Sequence, residues 1–203
     1  MNEGQSPINR YSEELGRIYL QALQEVVGSQ AVRELLKAAN LAEPCEVKQL
    51  FLGQVSRIQG ALEEIYGLHG SQGVALRCGQ VSFQYGLLEF GEQSGCTSLE
   101  FRLLPFNTRL RVGAELLAKI LNENTDQKVQ VIDQEERLVW NVEHCQVCLG
   151  RHTENASCHL TVGFLQESLF WISGGKFFCV EETHCIAKGD PTCTIVVHKK
   201  PLD

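Results

Sequence analysis

The feature that most limits the folds open to this chain is a change of hydrophobic period near Thr125. Upstream, apolar residues recur at the spacing of a helix face; downstream they alternate or cluster as in strands. A chain that switches in this way packs helices on an antiparallel sheet rather than winding βαβ units. In 10–27, Tyr11, Leu15, Ile18, Tyr19, Ala22, Leu23 and Val26 share one helical stripe, and Gly28 suits the left-handed residue that stops a helix. Ser29 is placed to cap a second short helix through Ala39, and the segment around Glu43, Pro44 and Cys45 reads as a connection. Helical spacing resumes over 54–68 and 71–90, punctuated by Gly67, Gly70 and Gly91. A short apolar piece, 99–104, precedes Pro105, and 107–122 carries another amphipathic stripe that needs a partner surface.

Beyond Thr125, KVQVID (128–133) and RLVWNV (137–142) are rich in β-branched residues and are separated by the polar Gln134-Glu135-Glu136, which predicts a hairpin. A helix over 159–173 ends at Gly174-Gly175. Two strands, 176–182 and 192–197, turn on Gly189-Asp190-Pro191. The expected fold is α+β: a helical N-terminal region, 1–125, packed on a small antiparallel sheet in 126–203. At 203 residues both regions fit one globular unit.

A hydrophobic fraction of 43% and a charged fraction of 21% are those of an ordinary folded domain. The net charge of −7 provides no basic surplus for phosphate backbones, so nucleic acid is not expected as a direct partner. The start, MNEGQSPINR, lacks the cationic and apolar regions of a secretory signal. No apolar run approaches the roughly 18 residues of a transmembrane segment. A cytoplasmic protein is the expectation.

Cysteine is the compositional anomaly: Cys45, Cys78, Cys96, Cys145, Cys148, Cys158, Cys179, Cys185 and Cys193. An odd number in a reducing compartment is a poor disulfide framework, which brings metal ligation and thiol chemistry forward. Glu182-Thr183-His184-Cys185 closes one expected strand and Cys193 opens the next, so an antiparallel turn brings them together; Cys158, just before the helix, could add a ligand. Two or three thiolates with one carboxylate suit tetrahedral zinc. Four protein ligands would make that site structural, whereas an open position would admit Lewis-acid catalysis. Buried free thiols are the plain alternative.

Cys145-Gln146-Val147-Cys148, preceded by His144, is a second grouping whose sulfurs can reach one ion or oxidise to a disulfide. With Cys158 and either Cys185 or Cys193 it makes four thiolates, a set that equally suits an iron–sulfur cluster. These ligands outnumber one tetrahedral ion. Two centres, one centre with exchanging thiols, and spectator cysteines all remain open. His144, His152, His159, His184 and His198 stand outside His-x-His or His-Glu-x-x-His spacing and read as surface or packing residues. No phosphate loop or Gly-x-Gly-x-x-Gly dinucleotide fingerprint is present.

The runs Gly163-Phe164-Leu165-Gln166-Glu167 and Val180-Glu181-Glu182-Thr183-His184-Cys185-Ile186-Ala187-Lys188-Gly189-Asp190-Pro191-Thr192-Cys193 resemble the 4-vinyl-reductase-like domain. That family's hallmark is a Glu-x-x-Cys, a short Gly-containing turn and a second Cys ahead of the last strand. The resemblance spans 137–198, and the helical half fits an architecture shared with Golgi transport-tether (TRAPP-type) subunits. It implies a structural zinc like that of the family's aromatic-sensing input domains, carried here by Cys158, Glu182, Cys185 and Cys193, with Glu181 as an adjacent competitor. The Cys145-x-x-Cys148 pair is absent from those sensors. The resemblance also implies a hydrophobic pocket between helices and sheet, with Trp140, Phe164, Phe170, Trp171 and Phe178 as candidate liners.

The function expected from this is a non-catalytic binding, sensor or assembly module for a small hydrophobic molecule, aromatic or tetrapyrrole-like, acting as a homodimer or through a partner protein. A tetrapyrrole vinyl-reductase-type enzyme or subunit of (bacterio)chlorophyll biosynthesis, using an iron–sulfur centre, is one alternative. A protein-assembly scaffold with a Cys-x-x-Cys redox switch is the other.

Overall fold

Helices give way to sheet at Thr125, and the start of the chain is tied to that point. The Ser12 amide donates to the Asn124 carbonyl (2.9 Å), the Asp126 amide donates to the Arg10 carbonyl (3.1 Å), and Tyr11 bridges Thr125. The computed structural model describes residues 10–41, 50 and 52–202. The connection expected around Glu43, Pro44 and Cys45 lies outside them.

Five helices come first: α1 (Glu13–Val27), α2 (Ser29–Ala38), α3 (Leu52–Ser94), α4 (Leu99–Arg102) and α5 (Phe106–Asn124). They are followed by β1 (Val129–Asp133), β2 (Arg137–Val142), α6 (His159–Ser173), β3 (Phe178–His184), a 3-10 turn (Ile186–Lys188) and β4 (Cys193–Pro201). The four strands are antiparallel in the order β1-β2-β4-β3, so the last strand enters between the hairpin and β3. The fold is α+β, as the change of period predicts.

Local chemistry accounts for most boundaries. The Ser12 hydroxyl accepts the Leu15 amide at the start of α1, and Glu13 and Glu14 favour the positive end of the helix. Gly28 ends α1 with φ 84°, and it also stands in the cap position of α2; Ser29, expected as that cap, is already inside the helix. The stretches expected at 54–68 and 71–90 form one run, α3, broken only at Gly67, whose φ of 68° and ψ of 173° leave the helical region. Gly70 and Gly91 do not interrupt it. The apolar piece near 99–104 contains the single turn α4, capped by the Ser98 hydroxyl.

Alternation puts Leu138, Trp140 and Val142 of β2 and Cys193, Ile195 and Val197 of β4 on the inner sheet face, where all are buried. α6 packs against β3 and α5 on one side and α3 on the other, and one continuous apolar core joins α1, α3, α5, α6 and the sheet. The α3–α6 crossing brings backbone against backbone. A Cβ built on Gly79 would stand 2.0 Å from the Leu160 carbonyl oxygen, and one on Gly163 would stand 2.0 Å from that of Leu76. Among the described residues, no helix is long and apolar enough to cross a membrane.

Gly163→Ala should therefore destabilise the fold by about 3 kcal/mol, the upper end of the cost of overpacking. Gly60→Ala in α3, whose Cβ meets nothing within 4 Å, should stabilise it by roughly 0.5–1 kcal/mol. Urea-unfolding midpoints with unchanged slopes would show both effects.

Candidate functional site

Five cysteines from four separate segments converge below the N-terminus of α6. Cys145 and Cys148 sit on the turn after β2, closed by Cys148 and Leu149 amides donating to the Cys145 carbonyl (both 3.1 Å). Cys158 occupies the cap position of α6, Cys185 follows β3, and Cys193 opens β4 opposite Val142. The Cys158 sulfur lies 3.4 Å from those of Cys145, Cys148 and Cys193, and Cys148 lies 3.5 Å from Cys185 and from Cys193. All five are buried and none is in a disulfide.

The chain around them is braced. The Arg151 guanidinium donates to the Val147 carbonyl (2.9 Å) and pairs with Glu63 of α3, fixing the Cys145–Cys148 turn to the helix. The Asp190 carboxylate accepts the Cys185 amide at 2.8 Å, and the Ile186 amide donates to the Cys193 sulfur at 3.3 Å. Glu182 Oε2 accepts the Cys158 amide at 2.7 Å, whereas its buried Oε1 has no hydrogen-bond partner.

Two four-residue groupings have ligand atoms within 4.8 Å of one another: Cys145, Cys148, Cys158 and Cys193, and Cys158, Glu182, Cys185 and Cys193. The carboxylate in the second is Glu182. Its neighbour Glu181 points away and accepts the Cys179 thiol at 2.9 Å; with His198 these two form a separate group away from the cluster. A tetrahedron with sulfur at about 2.3 Å from a central ion has edges of about 3.8 Å. The spacings of 3.4 and 3.5 Å approach that value, and Glu182 Oε1 supplies an unclaimed acceptor beside them. The donor set fits one thiophilic ion.

Crowded sulfurs cannot all ionise. Contacts with the Cys145, Cys158, Cys185 and Cys193 sulfurs push the Cys148 thiol well below the usual thiol range, against the opposing effect of burial. Cys158 is driven well up by its contacts with Cys145, Cys148, Cys185 and Cys193 and by burial. Burial pushes the Glu182 carboxyl up to about 8, against the hydrogen bond from Cys158.

A second feature lies on the other side of the first turn of α6. A cavity of about 80 Å³ is bounded by α1, α3, α5 and α6, with Leu15, Ile18, Phe83, Phe90, Leu117, Leu121, Leu160 and Phe164 among its apolar walls. Ser82, Gln127 and Gln146 also line it, and Ser82 Oγ, Gln127 Nε2 and Gln146 Oε1 are buried without a hydrogen-bond partner. Of the five aromatic residues expected as liners, only Phe164 reaches this cavity. Trp140 is sheet core; Phe178 stacks on Phe106; Phe170 and Trp171 border a separate groove with Leu87 and Leu88. The cavity lies among helices rather than between helices and sheet, because α6 and α5 close directly on the inner sheet face. Aromatic spacing alone gave no sign of Ser82, Gln127 or Gln146.

No family model matches the sequence, and no curated protein matches it. Among solved structures the chain is similar to an H-NOX protein from S. oneidensis in the Fe(II)NO ligation state, with 10% identity, TM-score 0.61 and coverage of 95% of this chain and 99% of that one. It is similar to a Cs H-NOX mutant carrying the unnatural amino acid 4-cyano-L-phenylalanine, with 14% identity, TM-score 0.60 and coverage of 94% and 98%. It is also similar to the phenol-responsive sensory domain of the transcription activator PoxR with phenol, with 16% identity, TM-score 0.54 and coverage of 72% and 73%. At these identities the likeness is one of fold.

The raised Glu182 carboxyl has a measurable sign in chelator-stripped protein. The folded state keeps its proton up to about pH 8 while the unfolded chain gives it up near 4.5. The native state therefore binds more protons between these values, and its stability falls as pH rises through that window. Glu182→Gln should flatten this fall when urea midpoints are compared from pH 5 to pH 8.

Proposed function

We propose that the chain is a non-catalytic sensing module for a small, mostly apolar molecule with a polar end, and that its cysteine cluster holds a structural zinc ion. The observation that carries this reading is the apolar cavity with three unpartnered polar atoms on Ser82, Gln127 and Gln146. Each such buried group costs about 1–3 kcal/mol when left unsatisfied, so a ligand that offers one donor and one acceptor recovers that cost while the surrounding walls bury its apolar part. An apolar cavity of about 150 Å³ takes up benzene. A single-ring ligand thus enters with a modest outward shift of Phe83, Phe90 or Phe164. The PoxR sensory domain, similar in fold, is described as phenol-responsive, which suits a ligand of this kind.

The H-NOX structures raise heme as an alternative, and the residues here do not fit it. The cavity of about 80 Å³ is far below the roughly 300–1,000 Å³ of sites that enclose larger ligands. Among the described residues, no histidine lines it to hold iron and no lysine or arginine to pair with propionates, while the Tyr19 hydroxyl is taken by Gln59 and the Cys96 thiol donates to the Gly91 carbonyl.

For the metal, Cys158, Glu182, Cys185 and Cys193 are the set implied by the 4-vinyl-reductase-like motif, and the unpartnered Glu182 Oε1 supports it. Zinc bound there would tie the start of α6 to β3 and β4. Sulfurs 3.4 Å apart surround one ion more readily than an iron–sulfur cluster, whose bridging sulfides would hold the thiolates farther apart. No observation favours the vinyl-reductase or the scaffold alternative.

Elemental analysis of the purified chain should give one zinc per chain, and calorimetric titration with phenol should show saturable binding. Gln127→Leu should weaken phenol roughly tenfold, the value of one hydrogen bond. Cys158→Ser should release the zinc and lower Tm by about 10 °C. Absence of zinc would remove the metal half of this reading, and absence of binding to phenol and to other single-ring compounds would remove the sensing half.

A further inference from the structure

The two groupings in the cluster share Cys158 and Cys193 and differ in the other pair, which is Cys145 and Cys148 in one and Glu182 and Cys185 in the other. We propose that these are alternative pairs for a single metal ion, so that an all-thiolate shell of Cys145, Cys148, Cys158 and Cys193 exchanges with the carboxylate-containing one. This rests on the zinc reading above.

The sulfur positions favour one ion over two. Two ions bridged by Cys158 and Cys193 would force their outer ligands to opposite ends. Instead Cys148 lies 3.5 Å from Cys185, as close as it lies to the shared Cys193. Cys148, Cys158 and Cys193 make a nearly equilateral triangle with sides of 3.4, 3.4 and 3.5 Å, so adding Cys148 to the shared pair needs little displacement.

Each pair also has a fixed mounting. The Cys145–Cys148 turn is closed by its own backbone hydrogen bonds and braced by Arg151. On the other arm, Asp190 holds the Cys185 amide, and Glu182 rests on the Cys158 amide through Oε2 with Oε1 unclaimed. Neither arm needs refolding in order to bind or to let go.

The exchange balances in charge and protons. Four thiolates, or three thiolates and a carboxylate, both surround a divalent ion with four negative charges. Each proton given up by the pair that binds is taken up by the pair that is released. Softness separates the shells, since thiolate-only sites favour softer ions. Access is provided by Ser157, whose hydroxyl lies 3.7 Å from both Cys148 and Cys185 sulfurs and which lines, with Gln59, Glu63 and His159, a polar cavity of about 290 Å³.

The test uses the full chain, stripped by chelator and titrated with Co2+, whose sulfur-to-metal charge-transfer absorption scales with the number of bound thiolates. The wild type, Cys145→Ser/Cys148→Ser, Glu182→Gln/Cys185→Ser and the four-fold combination are compared, with circular dichroism to confirm folding. Each double variant should bind one Co2+ per chain within about tenfold of wild-type affinity. Charge-transfer absorption should be lower in Cys145→Ser/Cys148→Ser, which keeps three thiolates, than in Glu182→Gln/Cys185→Ser, which keeps four. The four-fold variant should lose at least a hundredfold in affinity.

If only one double variant binds, a single fixed shell is present and the exchange is wrong. Two Co2+ per wild-type chain would also overturn it, as separate centres. A wild type that binds none would instead remove the zinc reading on which the exchange rests. Should the variants not fold, iodoacetamide labelling of the zinc-loaded wild type decides the matter, residue by residue. Exchange predicts full protection of Cys158 and Cys193 and partial protection of Cys145, Cys148 and Cys185. Complete protection of one arm with none of the other would falsify it.

Discussion

The backbone contact between α3 and α6 is the constraint on which the other features depend. Gly79 and Gly163 let the helices approach until carbonyl oxygens occupy the space of absent side chains. α6 is thereby fixed along its length, and three surfaces are fixed with it. Its first residue follows Cys158 at the sulfur cluster, its next turn presents Leu160, Thr161 and Phe164 to the cavity, and its remaining inner face lies on the sheet. A helix held so tightly transmits displacement rather than absorbing it, because packed interiors resist small changes of volume. The cluster and the cavity are thus neighbours through one rigid element.

The parts of the fold legible in the sequence are those set by periodicity and by local stop chemistry. α6 is read at its true bounds, 159–173, because an apolar helix there meets Gly174, which adopts the left-handed conformation with φ 82°. The β1–β2 hairpin is legible for similar reasons, through β-branched runs around a polar turn. The break in α3 is legible only in part. Gly67, Gly70 and Gly91 are chemically alike in a sequence, and only the backbone shows which of them leaves the helix.

The candidate site divides in the same way. Glu182, Cys185 and Cys193 come together because a strand-turn-strand unit brings its ends together, Cys158 joins them from the cap of α6 as the family resemblance implies, and Glu182 rather than Glu181 faces the cluster because successive strand residues point to opposite faces. The approach of Cys148 to Cys185 within 3.5 Å depends on an irregular loop between β2 and α6, whose path no periodicity describes. The cavity was the least legible feature. Apolar spacing identifies buried residues but not where packing stays incomplete, and Ser82, Gln127 and Gln146 resemble ordinary surface residues until their surroundings are known.

Gln146 stands between Cys145 and Cys148 on the turn that Arg151 fastens to α3, and it also forms part of the cavity wall. Gln146 lies inside the turn closed by the Cys148 and Leu149 amides on the Cys145 carbonyl, so a shift of Gln146 displaces the two sulfurs beside it. The shape of the cavity and the geometry of the sulfur cluster are therefore coupled through one residue.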